Sequence, residues 1–341
     1  MVRVGIVGGS GYIGGELLRI LLGHPRAKVT GVSSARHAGR RVDTVHPNLR
    51  GATDLLFVDH DRLDGCDVLF LAVPHGESMT AIDRFRGLAE RIVDLSADFR
   101  LRDPERFRRY YGREHAAPGL LSSFACGLPE LARERLRDAD LVSVPGCMAT
   151  AAILALHPLC AAGLVAGGVH VDGRTGSSGS GAGAGAHNAH PERSRAMRVF
   201  APVRHRHEAE IAQATGLDVR MTATAVEAVR GVQVVCRLRL AAGADERAVR
   251  AVYRRHYGAE PFVRVVAQRR GAHRYPDPKV LAGSNFCDVG FAQAEDDPET
   301  VLIAALDNLV KGGAGNAVQC LNIRHGWPER LGLEFPGLHP V

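Results

Sequence analysis

The sequence predicts an α/β protein in two parts: a Rossmann-type doubly wound sheet, then an α+β catalytic domain with a mixed sheet. Three observations point there. The chain opens on an apolar run, Val2-Arg3-Val4-Gly5-Ile6-Val7, that passes into a glycine turn and then into helical spacing. Comparable apolar runs return at intervals that leave room for helices or loops between them. The last of these runs leads into a cysteine at the head of an alanine-rich helical stretch. With 341 residues, 45% of them hydrophobic, the chain has the length for two domains of ordinary size and a substantial core.

The opening unit reads strand, turn, helix. After Val7 come Gly8-Gly9-Ser10-Gly11-Tyr12-Ile13-Gly14, and then Ile13, Leu17, Ile20 and Leu21 recur at helical spacing. Glycines at 8, 11 and 14 allow a tight turn, a close approach of backbone to pyrophosphate and close packing of helix on strand. The helix start then offers amides and a partial positive charge to phosphate. Gly8, Ser10, Gly11, Tyr12, Ile13 and Gly14 are therefore candidate cofactor residues. A second strand, Lys28 to Val32, ends in Ser33-Ser34-Ala35-Arg36, where an NAD enzyme would place a ribose-binding acid. Two hydroxyls and a guanidinium stand there instead. Ser33, Ser34 and Arg36 suit the 2′-phosphate of NADP, so NADPH is the expected cofactor.

The runs Val68 to Val73, Arg91 to Leu95 and Leu141 to Val144 predict further buried parallel strands. The loops after two of them, Pro74-His75-Gly76 and Ser96-Ala97-Asp98-Phe99-Arg100, should project from the ligand-binding edge of the sheet. His75 and Asp98 fit turn and capping roles there at least as well as chemical ones.

The strand ending at Val144 runs into Pro145-Gly146-Cys147. A cysteine at a helix start sits in the field that favours thiolate over thiol, a setting the other six cysteines lack. A small buried residue at a strand–helix junction would read the same way. A thiol nucleophile needs a proton acceptor, and Arg204-His205-Arg206-His207 followed by Glu208 and Glu210 supplies imidazoles, guanidiniums and acids in one segment. His207 is the candidate general acid/base, Glu210 its orienter and His205 a further catalytic residue, while Arg204 and Arg206 suit an acyl phosphate or carboxylate. Between cysteine and histidines lies a glycine-rich run from Gly173 to Gly185. It reads either as an interdomain linker or as an active-site loop whose bare amides, with Ser177 and Ser178, cradle substrate.

A formal charge of +6 would attract phosphorylated small molecules, an acidic protein or nucleic acid. The chain carries no zinc-finger spacing, no RNP-like aromatic strand and no lysine tail, which speaks against nucleic acid. No run approaches the roughly 20 apolar residues of a membrane span. Seven cysteines without CxxC pairing suggest neither a disulfide framework nor a metal site, and a cytoplasmic protein is expected.

Taken together, Gly8 to Gly14, Ser96 to Arg100, Pro145-Gly146-Cys147, His205-Arg206-His207 and Asp307-Asn308-Leu309-Val310-Lys311-Gly312 resemble the N-acetyl-gamma-glutamyl-phosphate reductases over essentially the whole chain. His46 to Gly51, His273 to Pro278, Gly326-Trp327-Pro328-Glu329 and the terminus Phe335 to Val341 resemble more closely a sister branch, the amino-group-carrier-dependent aminoadipate 6-phosphate reductases of lysine biosynthesis. That resemblance implies an acyl-phosphate reductase in which Cys147 forms a thioester that accepts hydride from NADPH and releases a semialdehyde. It also implies an acidic carrier protein bearing the substrate, a contact of Asn308 with the nicotinamide side of NADP, and a helix from Asp307 to Asn322 returning to the first domain. Met148-Ala149-Thr150 and the glycine-rich loop depart from both branches and border the expected substrate pocket. The expected domains are 1–146 for NADP, completed by about 305–341, and 147–304 for catalysis and oligomerisation, with a homo-oligomer (dimer or tetramer) expected. Arg193, Arg195 and Arg198 are expected to help dock the carrier. A reductase of free N-acetylglutamyl phosphate and a non-catalytic NADP-binding sensor are the alternatives.

Overall fold

A computed structural model describes residues 1–294, 297 and 299–339; positions 340 and 341 of the expected C-terminal tail lie outside the described residues. The chain divides into two compact units. One comprises Met1–Pro145 with Gly181–Gly183 and Gly313–Glu334; the other comprises Gly146–Ser180, Ala184–Gly312 and the chain from Phe335 onward.

The first unit carries β1 (Val2–Val7), α1 (Tyr12–Leu21), β2 (Ala27–Ser33), α2 (Val42–Val45), β3 (Val68–Leu71), α3 (Glu77–Leu88), β4 (Arg91–Asp94), α4 (Pro104–Tyr111), β5 (Ala125–Cys126), α5 (Pro129–Asp138) and β6 (Leu141–Ser143). Its six strands are all parallel, in the order β2-β1-β3-β4-β6-β5. All four residues of β3 are buried, the unbroken apolar signature of a parallel strand covered on both faces. Strand β5 has two residues, too few to leave a periodic trace in the sequence.

The second unit carries α6 (Cys147–Ala161), β7 (Val165–Thr175), α7 (His190–Arg193), β8 (Met197–Ala201), α8 (Arg206–Thr215), β9 (Val219–Val226), β10 (Val232–Leu240), α9 (Glu246–Tyr257), β11 (Val263–Val265), β12 (Cys287–Gln293) and β13 (Glu299–Leu306). Its sheet is mixed, in the order β11-β12-β13-β10-β7-β9-β8, with parallel pairs at β11/β12 and β7/β9 and antiparallel pairs elsewhere. In β10 the buried residues Val232, Val234, Cys236, Leu238 and Leu240 alternate with more exposed ones, the period of a strand packed on one face. Helix α6, apolar and buried around most of its circumference, lies against this sheet and forms the centre of the unit.

The expected helix from Asp307 to Asn322 is shorter and begins differently. The chain leaves β13 at Leu306, turns at Asp307 and winds as a π-helix over Val310–Ala314 before α10 (Gly315–Arg324). Asp307, fully buried, accepts the Leu309 N–H at 2.8 Å and the Gly283 N–H at 2.6 Å and meets Arg230 at 3.2 Å, which ends the strand in a turn rather than a helix start. The return to the first unit is accordingly Gly313–Glu334. Phe335 instead packs on Gly283 of the second unit, so the described part of the segment from 305 onward does not return as a block.

A proline inside α6 shows how the unit holds its central helix. Pro158 has no N–H for the Leu154 carbonyl, and the hydroxyl of Tyr257 donates to that carbonyl instead, while Tyr253 donates to Ala155 O at 2.6 Å. Removing the hydroxyl by Tyr257→Phe should therefore lower the unfolding free energy by about 1–3 kcal/mol, the cost of a buried carbonyl left unpaired. In a Pro158→Ala background, where residue 158 regains its N–H, the same change should cost less than half as much in urea titrations; equal costs in both backgrounds would contradict this account.

Candidate active site

In the first unit the glycine turn is organised by one carbonyl. Ser33 O at the end of β2 accepts the amides of Gly8 at 3.1 Å and Gly9 at 2.9 Å. Gly8 has φ +79°, a conformation glycine adopts without strain. A Cβ on Gly14 would lie 2.5 Å from Gly8 O, so α1 packs directly on the turn. Gly11 caps α1 without a side chain, so the first amides of the helix receive no acceptor from their N-cap residue, as an anion site at a helix start requires. His46 was not singled out as a site residue, yet its buried Nε2 donates to Gly9 O at 2.8 Å and its ring fills the space beside Gly15. Only folding brings it beneath the turn.

The residues expected around the 2′-phosphate divide. The Ser34 and Ser10 hydroxyls lie 2.7 Å apart at the turn and Arg36 is exposed. Ser33, by contrast, is fully buried with its hydroxyl 2.8 Å from His60 Nδ1, so its side chain serves the scaffold. Asp98 accepts the N–H groups of Gly76 at 2.8 Å and Met79 at 3.0 Å at the start of α3, and His75 Nδ1 accepts the Ala97 N–H at 3.0 Å. Both are local turn and capping residues.

In the second unit Cys147 is the first residue of α6, with Gly146 as its N-cap. The Gly146 N–H donates to Glu210 Oε2 at 2.8 Å, and Glu210 Oε1 lies 3.9 Å from His207 Nε2. A Cβ on Gly146 would collide with that same Nε2, so the imidazole lies flat against the backbone that precedes the cysteine. His207 and Glu210, side chains 6% and 3% exposed, form a pair withdrawn from water. From the other side, a Cβ on Gly312 in the π-helix would stand 2.6 Å from Cys147 Cβ. Gly312 belonged to the recognised motif, but nothing in its spacing announced this contact.

His205 has a different place from His207. It is the N-cap of α8, its Nδ1 accepting the His207 N–H at 3.3 Å, and burial together with the Arg206 guanidinium pushes its pKa down to about 4. Its imidazole is therefore neutral at physiological pH. Arg204 is exposed in a left-handed conformation, φ +55°, while Arg206 is half-buried with its Nε enclosed and lacking an acceptor among the described residues.

Asn308, expected beside the nicotinamide, belongs to the second unit, where its Oδ1 accepts the Gly231 N–H at 2.8 Å and its Nδ2 donates to Ser178 Oγ at 3.0 Å. Ser178 is thereby anchored, and Ser177 is half-buried. The bare amides expected after Thr175 are not bare: those of Gly176, Ser177 and Ser178 donate to Gly231, Ala228 and Val229 carbonyls at 2.8–3.0 Å. Met148, expected at the substrate pocket, is buried and packs against Gly173 beneath the sheet, so it shapes the core. No helix is long and apolar enough to cross a membrane, and among the described residues no group of three or more His, Cys, Asp or Glu could hold a metal.

Two family profiles match the chain: the semialdehyde dehydrogenase NAD binding domain over residues 3–139 and the semialdehyde dehydrogenase dimerisation domain over 147–308. Full-length relatives agree. A putative LysW-L-2-aminoadipate 6-phosphate reductase of Thermomicrobium roseum is 49% identical, covering 100% of both chains. The LysW-L-2-aminoadipate 6-phosphate reductase of Deinococcus radiodurans is 48% identical over 99% of this chain and 98% of its own. The chain belongs to the semialdehyde dehydrogenase family. Another relative, a putative LysW-L-2-aminoadipate/LysW-L-glutamate phosphate reductase of Thermococcus kodakarensis, is 45% identical over 100% of both chains. Among solved structures, aspartate semialdehyde dehydrogenase II of Vibrio cholerae shares the fold with a TM-score of 0.72 at 15% identity, over 95% of this chain and 98% of that one. A probable aspartate-semialdehyde dehydrogenase of Pseudomonas aeruginosa does so with 0.69 at 22%, over 95% and 99%. As a member of the semialdehyde dehydrogenase family, the chain is an NAD(P)-dependent oxidoreductase.

The two histidines can be told apart kinetically. Gly146→Ala should displace the His207 ring and lower turnover by at least about 100-fold, the scale of an ångström-sized misplacement. His205→Asn, which keeps an N-cap acceptor, should leave turnover within about threefold. Steady-state rates in the opposite order, with both variants folded, would move the proton-transfer role to residue 205.

Proposed function

We propose that the chain reduces a carrier-bound aminoadipyl- or glutamyl-type acyl phosphate to the semialdehyde, with NADPH as reductant and a thioester on Cys147 as the covalent intermediate. The observation that carries the chemistry is the grouping of Cys147 at the head of α6 with His207 and Glu210 against its N-cap. The relatives' names carry the substrate class: three proteins 45–49% identical over the full chain are called phosphate reductases of LysW-linked aminoadipate, one of them also of LysW-linked glutamate.

The helix-start amides favour the Cys147 thiolate. Its sulfur attacks the acyl carbon; the bond to the phosphate oxygen breaks, inorganic phosphate departs with the electron pair, and a thioester remains on Cys147. The Arg204 and Arg206 guanidiniums, on the same short segment as His207, suit that phosphate by charge. The first unit fits a dinucleotide: a Cβ on Gly8 or Gly14 would strike neighbouring backbone, so only glycines let the turn close tightly on the start of α1, where Gly11 brings no capping side chain. A dinucleotide held by the turn from Gly8 to Gly14 would supply the hydride that reduction of the thioester requires. His207 gives a proton to the resulting oxyanion or takes it back as the thiohemiacetal collapses, returning the thiolate and releasing the aldehyde. Glu210 stabilises the imidazolium and keeps the ring against Gly146. The NADP reading rests on Ser10, Ser34 and Arg36, and the homo-oligomer reading on the description of the second profile as a dimerisation domain.

Purified enzyme should reduce carrier-linked aminoadipyl or glutamyl phosphate with a kcat/KM at least about tenfold above that for free N-acetylglutamyl phosphate. Equal use of the free substrate would replace the carrier reading with a free-substrate reductase.

Cys147→Ser should lower turnover at least about a thousandfold while the protein stays folded and binds NADPH, since a serine alkoxide is not accessible near neutral pH. Acid quenching during turnover should trap acyl label on Cys147 alone; label elsewhere, or a serine variant of near-normal rate, would refute covalent catalysis at this residue.

Arg36→Ala should raise the KM for NADPH about tenfold, the cost of one charge-assisted hydrogen bond, and leave that for NADH unchanged. Equal effects on the two cofactors would remove Arg36 from the 2′-phosphate site.

A further inference from the structure

The arginines that the sequence offers for partner docking near the histidines are largely engaged within the fold. Arg193 donates to Val226 O at 2.6 Å and Thr175 O at 3.4 Å and ties two strand ends together. Arg198 is held by Glu192, through its carbonyl at 3.0 Å and its carboxylate at 3.7 Å. Elsewhere in the second unit several surface arginines pair locally, Arg220 with Asp218, Arg237 with Glu299 and Arg250 with Glu246.

One segment concentrates cations. Residues 269–279 carry Arg269, Arg270, Arg274 and Lys279 against a single carboxylate, Asp277, so they hold half of the chain's formal net charge of +6. Asp277 is engaged: it caps the Lys279 N–H at 2.9 Å and lies 3.9 Å from His273. The three arginines and Lys279 are exposed, and none has a carboxylate partner among the described residues.

The segment is held firmly at its base. Gln268 N–H donates to Arg274 O at 3.1 Å and closes the loop, and Gln233 Nε2 donates to Pro276 O at 2.9 Å. Pro278 packs on Gly231, whose N–H is held by Asn308, the same side chain that anchors Ser178. The C-terminal segment braces it further: Leu338 N–H donates to Ala282 O at 3.2 Å, and the His339 ring lies 5.5 Å from that of His273. A concentrated, locally uncompensated positive charge on a fixed knob is thus built onto the scaffold of the Ser177–Ser180 turn. Ordering such a loop in advance reduces the entropy lost on binding.

We propose that the loop 269–274 is the docking surface through which this enzyme receives an acidic protein partner, which under the function proposed above is the substrate-bearing carrier. The charge selects an acidic surface. A protein is favoured over nucleic acid because the one tyrosine beside the loop, Tyr275, is covered by the Arg274 guanidinium, 5.1 Å from the ring centroid, and offers no stacking platform for bases. This inference rests on the carrier reading, and the test separates the two.

The variant Arg269→Ala/Arg270→Ala/Arg274→Ala should raise the KM for carrier-linked acyl phosphate at least about tenfold at low salt, leave kcat at saturation within about twofold, and flatten the dependence of kcat/KM on ionic strength. Free N-acetylglutamyl phosphate should be reduced at the wild-type rate. Labelled, substrate-free LysW-type carrier should bind the variant at least about tenfold more weakly, while Arg195→Ala/Arg198→Ala changes its affinity less than about threefold. If the wild type prefers carrier-linked substrate but the triple variant behaves like wild type, the loop is not the docking surface and the carrier reading stands. If the wild type does not distinguish carrier-linked from free substrate, the carrier reading itself fails. A triple variant that loses affinity for a duplex DNA probe but not for the carrier would assign the loop to nucleic acid and overturn the proposal.

Discussion

The second unit's site depends on one hydrogen bond, from the Gly146 N–H to the Glu210 carboxylate at 2.8 Å. The first amides of a helix have no acceptor within it, so the start of α6 needs a partner from elsewhere. Glu210 supplies one from α8, 64 residues away in the chain. The same carboxylate lies 3.9 Å from the His207 imidazole, and so fixes the approach of a potential base to the residue before Cys147. A glycine is required at 146 because the imidazole occupies the place of its side chain. The geometry is thus over-determined by packing, with α8 in turn held to β9 by the Glu208 carboxylate accepting the Met221 N–H at 3.2 Å.

A comparable economy governs the first unit. The Ser33 carbonyl, by accepting two successive amides, aims the glycine turn, and the contact with His60 holds Ser33 in place. What remains beside the turn is an uncapped helix start, the adjoining Ser10 and Ser34 hydroxyls and the exposed Arg36 guanidinium. These are the groups that suit a phosphorylated dinucleotide, and they agree with the match of residues 3–139 to the NAD binding domain of the family.

Buried polar groups in the second unit serve connection more than chemistry. Asp307 gathers Arg230 and the amides of Leu309 and Gly283, and Asn308 gathers Gly231 and Ser178, so four separate stretches of chain meet around two adjacent side chains. Polar networks of this kind specify one arrangement because a half-satisfied member is costly. Their consequence extends outward, since the same contacts fix the base of the basic loop that we assign to partner docking.

The sequence by itself determined five strands of the first unit, the glycine turn and the position of Cys147 at a helix start, because each of these is written in local spacing: apolar runs, glycines where backbone must approach, and an apolar run that turns into alanine-rich helix. His207 and Glu210 could be picked out as a pair because they stand three residues apart on one helix. Their attachment to Gly146, the contact of Gly312 with Cys147, His46 beneath Gly9 and the engagement of Arg193 by strand-end carbonyls were decided only by the tertiary structure. So were the differing roles of His205 and His207, alike in the sequence but placed by folding at a helix cap and at the cysteine's backbone. The reason is that hydrogen bonds and van der Waals contacts act over a few ångströms, and which residues come within that range across tens or hundreds of positions is set by how the sheets and helices pack.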